Sequence, residues 1–209
     1  MSTTYNRIAG QSLARLAALS DGLFAIAMTL LVLDLRVPAG EAIHGEQDLW
    51  RALVGLTPRL VPYLMSFLTL GIFWVGQQTQ LNHFTRTDRH LTWIHLGFLL
   101  AVSVMPFSTA LLAEFIGYRT ALIIYWLNIL VFGVLLFAAW HYALRAGLVK
   151  EEATPEIRRA VDSRILVAQG LYAFGALLCV FSTYWSIAVI VLVQLNYVIA
   201  PGVRLLNRL

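Results

Sequence analysis

The sequence predicts an all-α membrane protein that crosses a lipid bilayer six times. Of its 209 residues, 59% are hydrophobic and only 12% are charged, whereas a soluble domain carries about 25% charged residues. The mean hydropathy is +0.75, which leaves too little polar surface to cover a soluble core of this size. In addition, six apolar segments reach the length of about 20 residues that a helix needs to cross hydrocarbon.

The six predicted helices follow one another along the whole chain. They are expected at about residues 13–35, 59–82, 91–113, 118–143, 162–183 and 185–206. The connection 37–58 is long enough for a short interfacial helix, and the charged connection 144–161 is expected to lie outside the membrane. Together these segments predict a single six-helix transmembrane domain over residues 1–209.

Three prolines lie within the predicted spans. Pro62 falls in the first turn of its segment, where a missing N–H costs little. Pro106 and Pro201 lie inside the third and sixth segments, where we expect kinks. Residues 1–36 loosely mimic a secretory signal, but their apolar stretch is too long for one, so we expect a retained first helix.

Basic residues favour one side of the predicted topology. With six spans both termini share a side, and that side carries eleven basic residues: Arg7, Arg15, Arg86, Arg89, Arg145, Lys150, Arg158, Arg159, Arg164, Arg204 and Arg208. The other side carries four: Arg36, Arg51, Arg59 and Arg119. Because Lys and Arg concentrate on the cytoplasmic side, both termini are expected in the cytoplasm. The expected location is the inner or plasma membrane, as a multi-pass protein.

Composition also argues against several function classes. The net charge of +4 is spread over short loops, so no nucleic-acid partner is expected. The single cysteine, Cys179, lies in an apolar run and can form no intrachain disulfide. The five histidines show neither H-x-x-x-H nor H-E-x-x-H spacing, and the sequence contains no G-x-S-x-G motif or phosphate-binding loop. We therefore expect no enzyme, no bound metal and no cofactor.

Polar side chains inside the apolar segments are the candidate functional residues, because polar groups in hydrocarbon are costly. Asn128, Gln194 and Asn196 are expected to form interhelical hydrogen bonds. Asp21 is different, since a carboxylate there needs a partner or a bound proton. Its expected partners are Arg15 or the polar end of the second helix, with Gln77, Gln78 and His83. Trp74 is expected in the same helix-fastening network. Alternatively, Asp21 binds an ion or carries a proton.

Helical geometry separates Asp21 from an apolar stripe on the first helix. At about 100° per residue, the stripe consists of Ile26, Thr29, Leu30 and Leu33. Asp21 lies about 140° from Ile26, so it does not face what the stripe faces. Arg15 lies within about 20° of Ile26. We expect its side chain to turn toward an acidic partner, because an arginine at a cation entrance would repel the cations.

The segment RLAALSD, from Arg15 to Asp21, resembles the R-x-x-x-F-S-D signature of the transmembrane protein 175 family. The segments SFLTLGIFWVGQQ in the second helix and VMPFSTALL in the third are similar to that family as well. Leu19 stands where the signature has Phe, which exchanges one apolar group for another. Gln77 and Gln78 stand where a histidine is expected. Six spans match the single-repeat prokaryotic members of the family.

The resemblance implies a potassium channel without an enzymatic cofactor. Family members with two repeats in one chain pair as dimers, so this single-repeat chain is expected to form a homotetramer whose first helices line a central pore. Ile26, Leu30 and Leu33 then correspond to the pore constriction, and Thr29 corresponds to the polar layer that contacts the permeant K⁺. Ser20 and Asp21 belong to the network that fastens the pore helix.

The expected pore has no carbonyl filter, because the sequence contains no T-V-G-Y-G run. A ring of apolar side chains instead forms a neck that closes by dewetting and selects modestly for K⁺ over Na⁺. Two other functions stay open at this point. A proton-coupled secondary transporter would use Asp21, although inverted repeats and broken helices are not evident. A scaffold membrane protein would carry no ion flux.

Overall fold

The computed structural model describes residues 10–40 and 43–199. These ranges contain seven α-helices: α1 (Leu13–Leu31), α2 (Glu46–Gly55), α3 (Thr57–Asn82), α4 (Arg89–Glu114), α5 (Arg119–Arg145), α6 (Pro155–Leu177) and α7 (Thr183–Ile199). Short 3₁₀ turns extend α1 over Val32–Asp34 and α6 over Leu178–Val180. The short helix α2 lies in the connection 37–58, where the sequence left room for it.

Five of the helices in the described ranges, namely α1, α3, α4, α5 and α6, are long and apolar enough to cross a membrane. The predicted sixth span corresponds to α7, which has 17 residues over the described part of the chain. At 1.5 Å per residue this is about 25 Å, which is short of a full hydrocarbon core. The predicted continuation of this span to residue 206, with Pro201, lies outside the described residues. The sixth span therefore stays a prediction.

One predicted helix start was wrong, and a second lies two residues after the observed one. Helix α6 begins at Pro155 rather than at 162, because the Thr154 hydroxyl accepts a hydrogen bond from the Ile157 N–H at 3.4 Å and caps the helix. Helix α3 begins at Thr57, so Pro62 lies inside the helix rather than in its first turn. Helix α4 continues through Pro106 without a break.

Contacts between the loops define two ends of the helix bundle. The Thr85 N–H donates to Leu148 O and the Lys150 N–H donates to His83 O, both at 2.8 Å, so the α3–α4 and α5–α6 loops meet. Thr92 donates to Gly10 O at 3.1 Å, which brings the start of α1 to the same end. We call it the basic end, because its described residues include Arg15, Arg86, Arg89, Arg145, Lys150, Arg158, Arg159 and Arg164.

The opposite end has its own polar contacts. Arg59 at the start of α3 lies 3.9 Å from Asp34, which ends α1, and also pairs with Glu114 at the end of α4. Arg119 donates to Val180 O at 2.9 Å. Arg7, Arg204 and Arg208, which the topology prediction counted on the basic end, lie outside the described residues. The cytoplasmic placement of that end stays a prediction.

A chain of buried aromatic rings joins four helices in the core. Phe73 of α3 packs against Phe132 of α5 with ring centroids 4.9 Å apart. Phe98 of α4 lies 5.7 Å from Phe132 and 5.9 Å from Phe24 of α1. All four rings are buried. These ring contacts fix the rotation of α1 about its own axis. That rotation determines which face of α1 the rest of the subunit leaves uncovered.

Interhelical hydrogen bonds from amide side chains confirm part of the sequence analysis. Asn128 of α5 donates to the Ser108 hydroxyl of α4 at 3.2 Å. Gln194 of α7 donates to the Thr69 hydroxyl of α3 at 2.7 Å. These contacts are the interhelical bonds that polar residues form in membrane bundles.

The close approach of α5 and α6 depends on the missing side chain of Gly133. A Cβ at this position would lie 2.1 Å from Gln169 Nε2 and 2.6 Å from its Cγ. Gln169 Nε2 donates to Ile129 O at 3.3 Å. Gly133→Ala should displace Gln169, and this cost exceeds the gain of up to about 1 kcal/mol that alanine brings in helix propensity. We therefore expect the unfolding free energy to fall by up to about 1 kcal/mol.

Detergent-titrated unfolding of the purified protein measures this loss. Gly170→Ala is the matched control, because its added methyl group enters open space. Helix propensity alone makes that change neutral or stabilising by up to about 1 kcal/mol. Equal stability of the two variants would show that the Gly133 contact is dispensable.

Candidate functional site

Helix α1 has one face inside the subunit and one face outside it. Its buried residues repeat at helical spacing and pack against α3 and α4: Leu16, Ser20, Phe24, Ala27 and Leu31. The opposite face is apolar and open, with Ile26 55% exposed, Leu30 44% exposed and Leu33 70% exposed. An apolar face that one subunit leaves uncovered in a membrane protein meets lipid, another subunit or a pore.

Thr29 lies on the same open face as the apolar stripe. Its hydroxyl donates to Ile26 O at 2.8 Å. The hydroxyl proton is therefore used within the helix, and both lone pairs of the oxygen remain as acceptors. Such an oxygen can accept a hydrogen bond from water or contact a cation.

Asp21 is held by two donors from α3. Trp74 Nε1 donates to Asp21 Oδ1 at 2.8 Å, and Gln78 Nε2 donates to the same oxygen at 2.7 Å. Both bonds are charge-assisted when the carboxylate is ionised, and such bonds are stronger than neutral ones. Asp21 thus joins α1 to α3 at the seam between the two helices, beside the open face.

Ser20 starts a second, buried connection. Its hydroxyl donates to Leu16 O at 3.0 Å, within α1. Gln77 Nε2 of α3 lies 3.1 Å from Ser20 Oγ and 3.2 Å from His95 Nδ1 of α4. Ser20, Gln77 and His95 are all fully buried. One glutamine amide therefore links three helices, and it does so at a position where the family resemblance led us to expect a histidine.

The structure places two other predicted members of the network elsewhere. His83 Nδ1 lies 2.7 Å from Thr79 O in its own helix, and its ring meets the edge of Trp140. Arg15 is exposed, and no carboxylate of the described residues lies within ion-pair distance of it. The acidic partner expected for Arg15 is therefore not supplied by the described part of one subunit.

Sequence reasoning missed several members of this site. The role of His95 was not predicted, although its position near the same membrane boundary as Gln77 was a usable signal. The open face of α1 also extends toward the basic end through Leu19, Gly22 and Ala25. Within the described residues, no group of three or more His, Cys, Asp and Glu side chains is placed to hold a metal ion.

The Gln77 bridge gives a testable energetic prediction. Gln77→Leu leaves the buried His95 Nδ1 without its partner, so we expect the unfolding free energy to fall by about 2 kcal/mol. Removing both partners in Gln77→Leu/His95→Phe should cost less than the sum of the two single changes, because no buried polar atom is then left alone. Unfolding of the four proteins in a double-mutant cycle measures the coupling. Strict additivity would contradict the bridge.

The chain is similar to known channel proteins. The model of the family described as endosomal/lysosomal potassium channel TMEM175 matches residues 15–106. A potassium channel of Chamaesiphon minutus is 31% identical over 179 residues, which covers 84% of this chain and 88% of the relative. A potassium channel of Streptomyces collinus is 36% identical over 137 residues, 64% of this chain. That match spans 65% of the length of the Streptomyces protein.

A solved structure extends the comparison to the fold. The crystal structure of a lysosomal potassium-selective channel TMEM175 homolog from Chamaesiphon minutus superposes with a TM-score of 0.78 and 27% sequence identity. The match covers 90% of this chain and 97% of that chain. The family-model match also contains α1, α3 and the Asp21 and Gln77 contacts. On this sequence and structural evidence, the chain belongs to the TMEM175 family of ion channels.

Proposed function

We propose that this chain is the subunit of a potassium-permeable channel in the plasma membrane, with four copies around a central pore lined by α1. The observation that carries the proposal is the open apolar face of α1, with Ile26, Leu30 and Leu33 exposed on a helix whose other face is buried. The bacterial relatives are named potassium channels. The tetramer follows from the resemblance, in which two-repeat chains pair as dimers.

The chemistry of the stripe supports a pore that conducts without a carbonyl filter. Four Ile26 side chains around an axis form a narrow apolar ring, and water leaves such a ring when it is narrow enough. Conduction then requires the ring to widen and to hold water. The Thr29 oxygens, one helical turn further along, offer acceptors to a partly dehydrated ion. Selection of K⁺ over Na⁺ by such a site is modest.

Asp21 is better suited to fastening the pore helix than to carrying ions in this proposal. Its Oδ1 already accepts two hydrogen bonds from α3. Helical geometry places it about 140° from Ile26 around α1. A proton-coupled transporter would instead need Asp21 to bind and release protons toward a cavity. The two donors on one oxygen favour the channel, because they hold the carboxylate in one place.

Ion flux into liposomes tests the proposal. Protein reconstituted into potassium-loaded vesicles should carry K⁺ down its gradient, with a rate that grows linearly with the gradient. The K⁺ flux should be unaffected by an imposed pH gradient. A saturable flux that follows the pH gradient would instead support the transporter. Cross-linking or mass measurement of the same preparation should give four subunits, and another subunit number would overturn the α1-lined tetramer.

A further inference from the structure

A crevice on the outer side of α3 lies away from the α1 site. It is enclosed by α3, α5, α6 and α7 and has a volume of about 140 Å³. Its walls are mostly apolar, with Val75 and Gly76 of α3, Leu136 of α5, and Ile165 and Ala168 of α6. The proposed channel function uses none of these residues. An apolar crevice between membrane-spanning helices is open to the hydrocarbon chains around it.

The polar residues of the crevice are concentrated toward the basic end. Arg164 lies nine positions after the start of α6, which is about 14 Å along the helix. Tyr197 lies near the end of the described part of α7, and Thr79 is close to the end of α3. The Arg164 guanidinium lies over the Tyr197 ring, 5.3 Å from its centroid. Tyrosine and arginine at this depth are typical of the region where lipid headgroups begin.

The charge of Arg164 is not balanced by an ion pair within the described part of the chain. No carboxylate in the described ranges lies within ion-pair distance of it. Three buried polar atoms of the crevice lining also have no hydrogen-bond partner among the described residues: Gln80 Oε1, Gln169 Oε1 and the Tyr172 hydroxyl. A buried polar atom without a partner is energetically unfavourable. The crevice therefore has an unbalanced cation at its interfacial end and unsatisfied polar groups on its lining.

We propose that this crevice binds an anionic phospholipid, with the phosphate against Arg164 and an acyl chain along the apolar walls. The lipid matches the lining in charge and polarity, because its phosphate can face Arg164 while its hydrocarbon lies along the apolar walls. Of the unpaired lining groups, the Tyr172 hydroxyl can donate a hydrogen bond to an ester oxygen. Basic pockets between membrane helices bind such headgroups elsewhere. Free phosphate fits less well, since it would have to leave water for an apolar crevice.

Native mass spectrometry of the purified chain tests the proposal with phosphatidylglycerol and phosphatidylcholine of identical acyl chains. We expect wild-type protein to bind phosphatidylglycerol about five-fold more tightly than phosphatidylcholine. This is the difference that one contact between a basic side chain and an anionic headgroup provides. Arg164→Gln should abolish this preference, whereas Arg164→Lys should retain most of it. Arg159→Gln is the matched control on the same helix, because Arg159 does not line the crevice. It should leave the preference unchanged.

A second variant tests the apolar walls. Ala168→Phe fills the crevice and should weaken the binding of both lipids while leaving Arg164 in place. If the Ala168→Phe variant is not recovered in the wild-type assembly state, Ala168→Leu, with its smaller side chain, is used instead. Equal loss of preference in Arg164→Gln and Arg159→Gln would overturn the site in favour of diffuse surface attraction. Displacement of the lipid by an excess of inorganic phosphate would overturn the proposal of a lipid site and indicate a site for a free anion.

Discussion

Ile26→Asn is expected to raise the potassium conductance of the reconstituted channel about ten-fold, which corresponds to a barrier lower by about 1.4 kcal/mol. The same change is expected to bring the K⁺ over Na⁺ permeability ratio close to one. The physical reason is the wetting of the neck. A ring of amide side chains retains water in the constriction, whereas a ring of isoleucine side chains excludes it. Ile26 is suited to this role because it is 55% exposed on the open face of α1.

Single-channel or vesicle-current recordings under bi-ionic conditions measure both quantities. Val134→Asn on α5 is the matched control, because Val134 is an apolar residue with the same 55% exposure. It should leave current per tetramer and selectivity at their wild-type values. Unchanged currents in Ile26→Asn, together with an opening effect of a mutation outside the stripe, would show that the constriction lies elsewhere.

The sequence predicted the helices of this fold well because apolar length is a strong signal in membrane proteins. Predicted spans 59–82, 91–113 and 118–143 agree with α3, α4 and α5 to within a few residues. The start of α6 was missed because residues 155–161 are charged, and charge suggested a loop. In the structure Thr154 and Pro155 start the helix before it becomes apolar.

The candidate site was only partly predictable. The period of 3.6 residues separated Asp21 from Ile26 on α1, and in the structure Asp21 contacts α3 while Ile26 faces outward. The partners of the polar residues could not be derived from periodicity, because they depend on the rotation of neighbouring helices. His95 rather than His83 meets Gln77 for this reason. The crevice beside Arg164 has the same origin, since four separate helices form it.

Asp21→Ala is expected to impair folding and assembly more than ion selection. The change removes the acceptor of the Trp74 and Gln78 hydrogen bonds. Hydrogen bonds to charged groups contribute about 1.5–3 kcal/mol each in soluble proteins, and membrane interhelical bonds average about 0.6 kcal/mol. For the pair we therefore expect a loss of about 2–3 kcal/mol in unfolding free energy. Each 1.4 kcal/mol is a factor of ten in the folded-to-unfolded ratio.

The yield of assembled protein in size-exclusion chromatography and the permeability ratio of the recovered fraction measure the two effects separately. Asp34→Ala is the matched control, because Asp34 is the other carboxylate of this segment, and its ion-pair partner among the described residues is the partly exposed Arg59 at 3.9 Å. Such a pair contributes about 0–1 kcal/mol, so its loss should change the yield little. Asp21→Asn keeps an oxygen acceptor for Trp74 and should restore much of the assembly. Because the amide is neutral, this rescue separates the two roles of Asp21: a fastening residue tolerates the change, whereas an ion-binding carboxylate would lose its function in Asn and Ala alike.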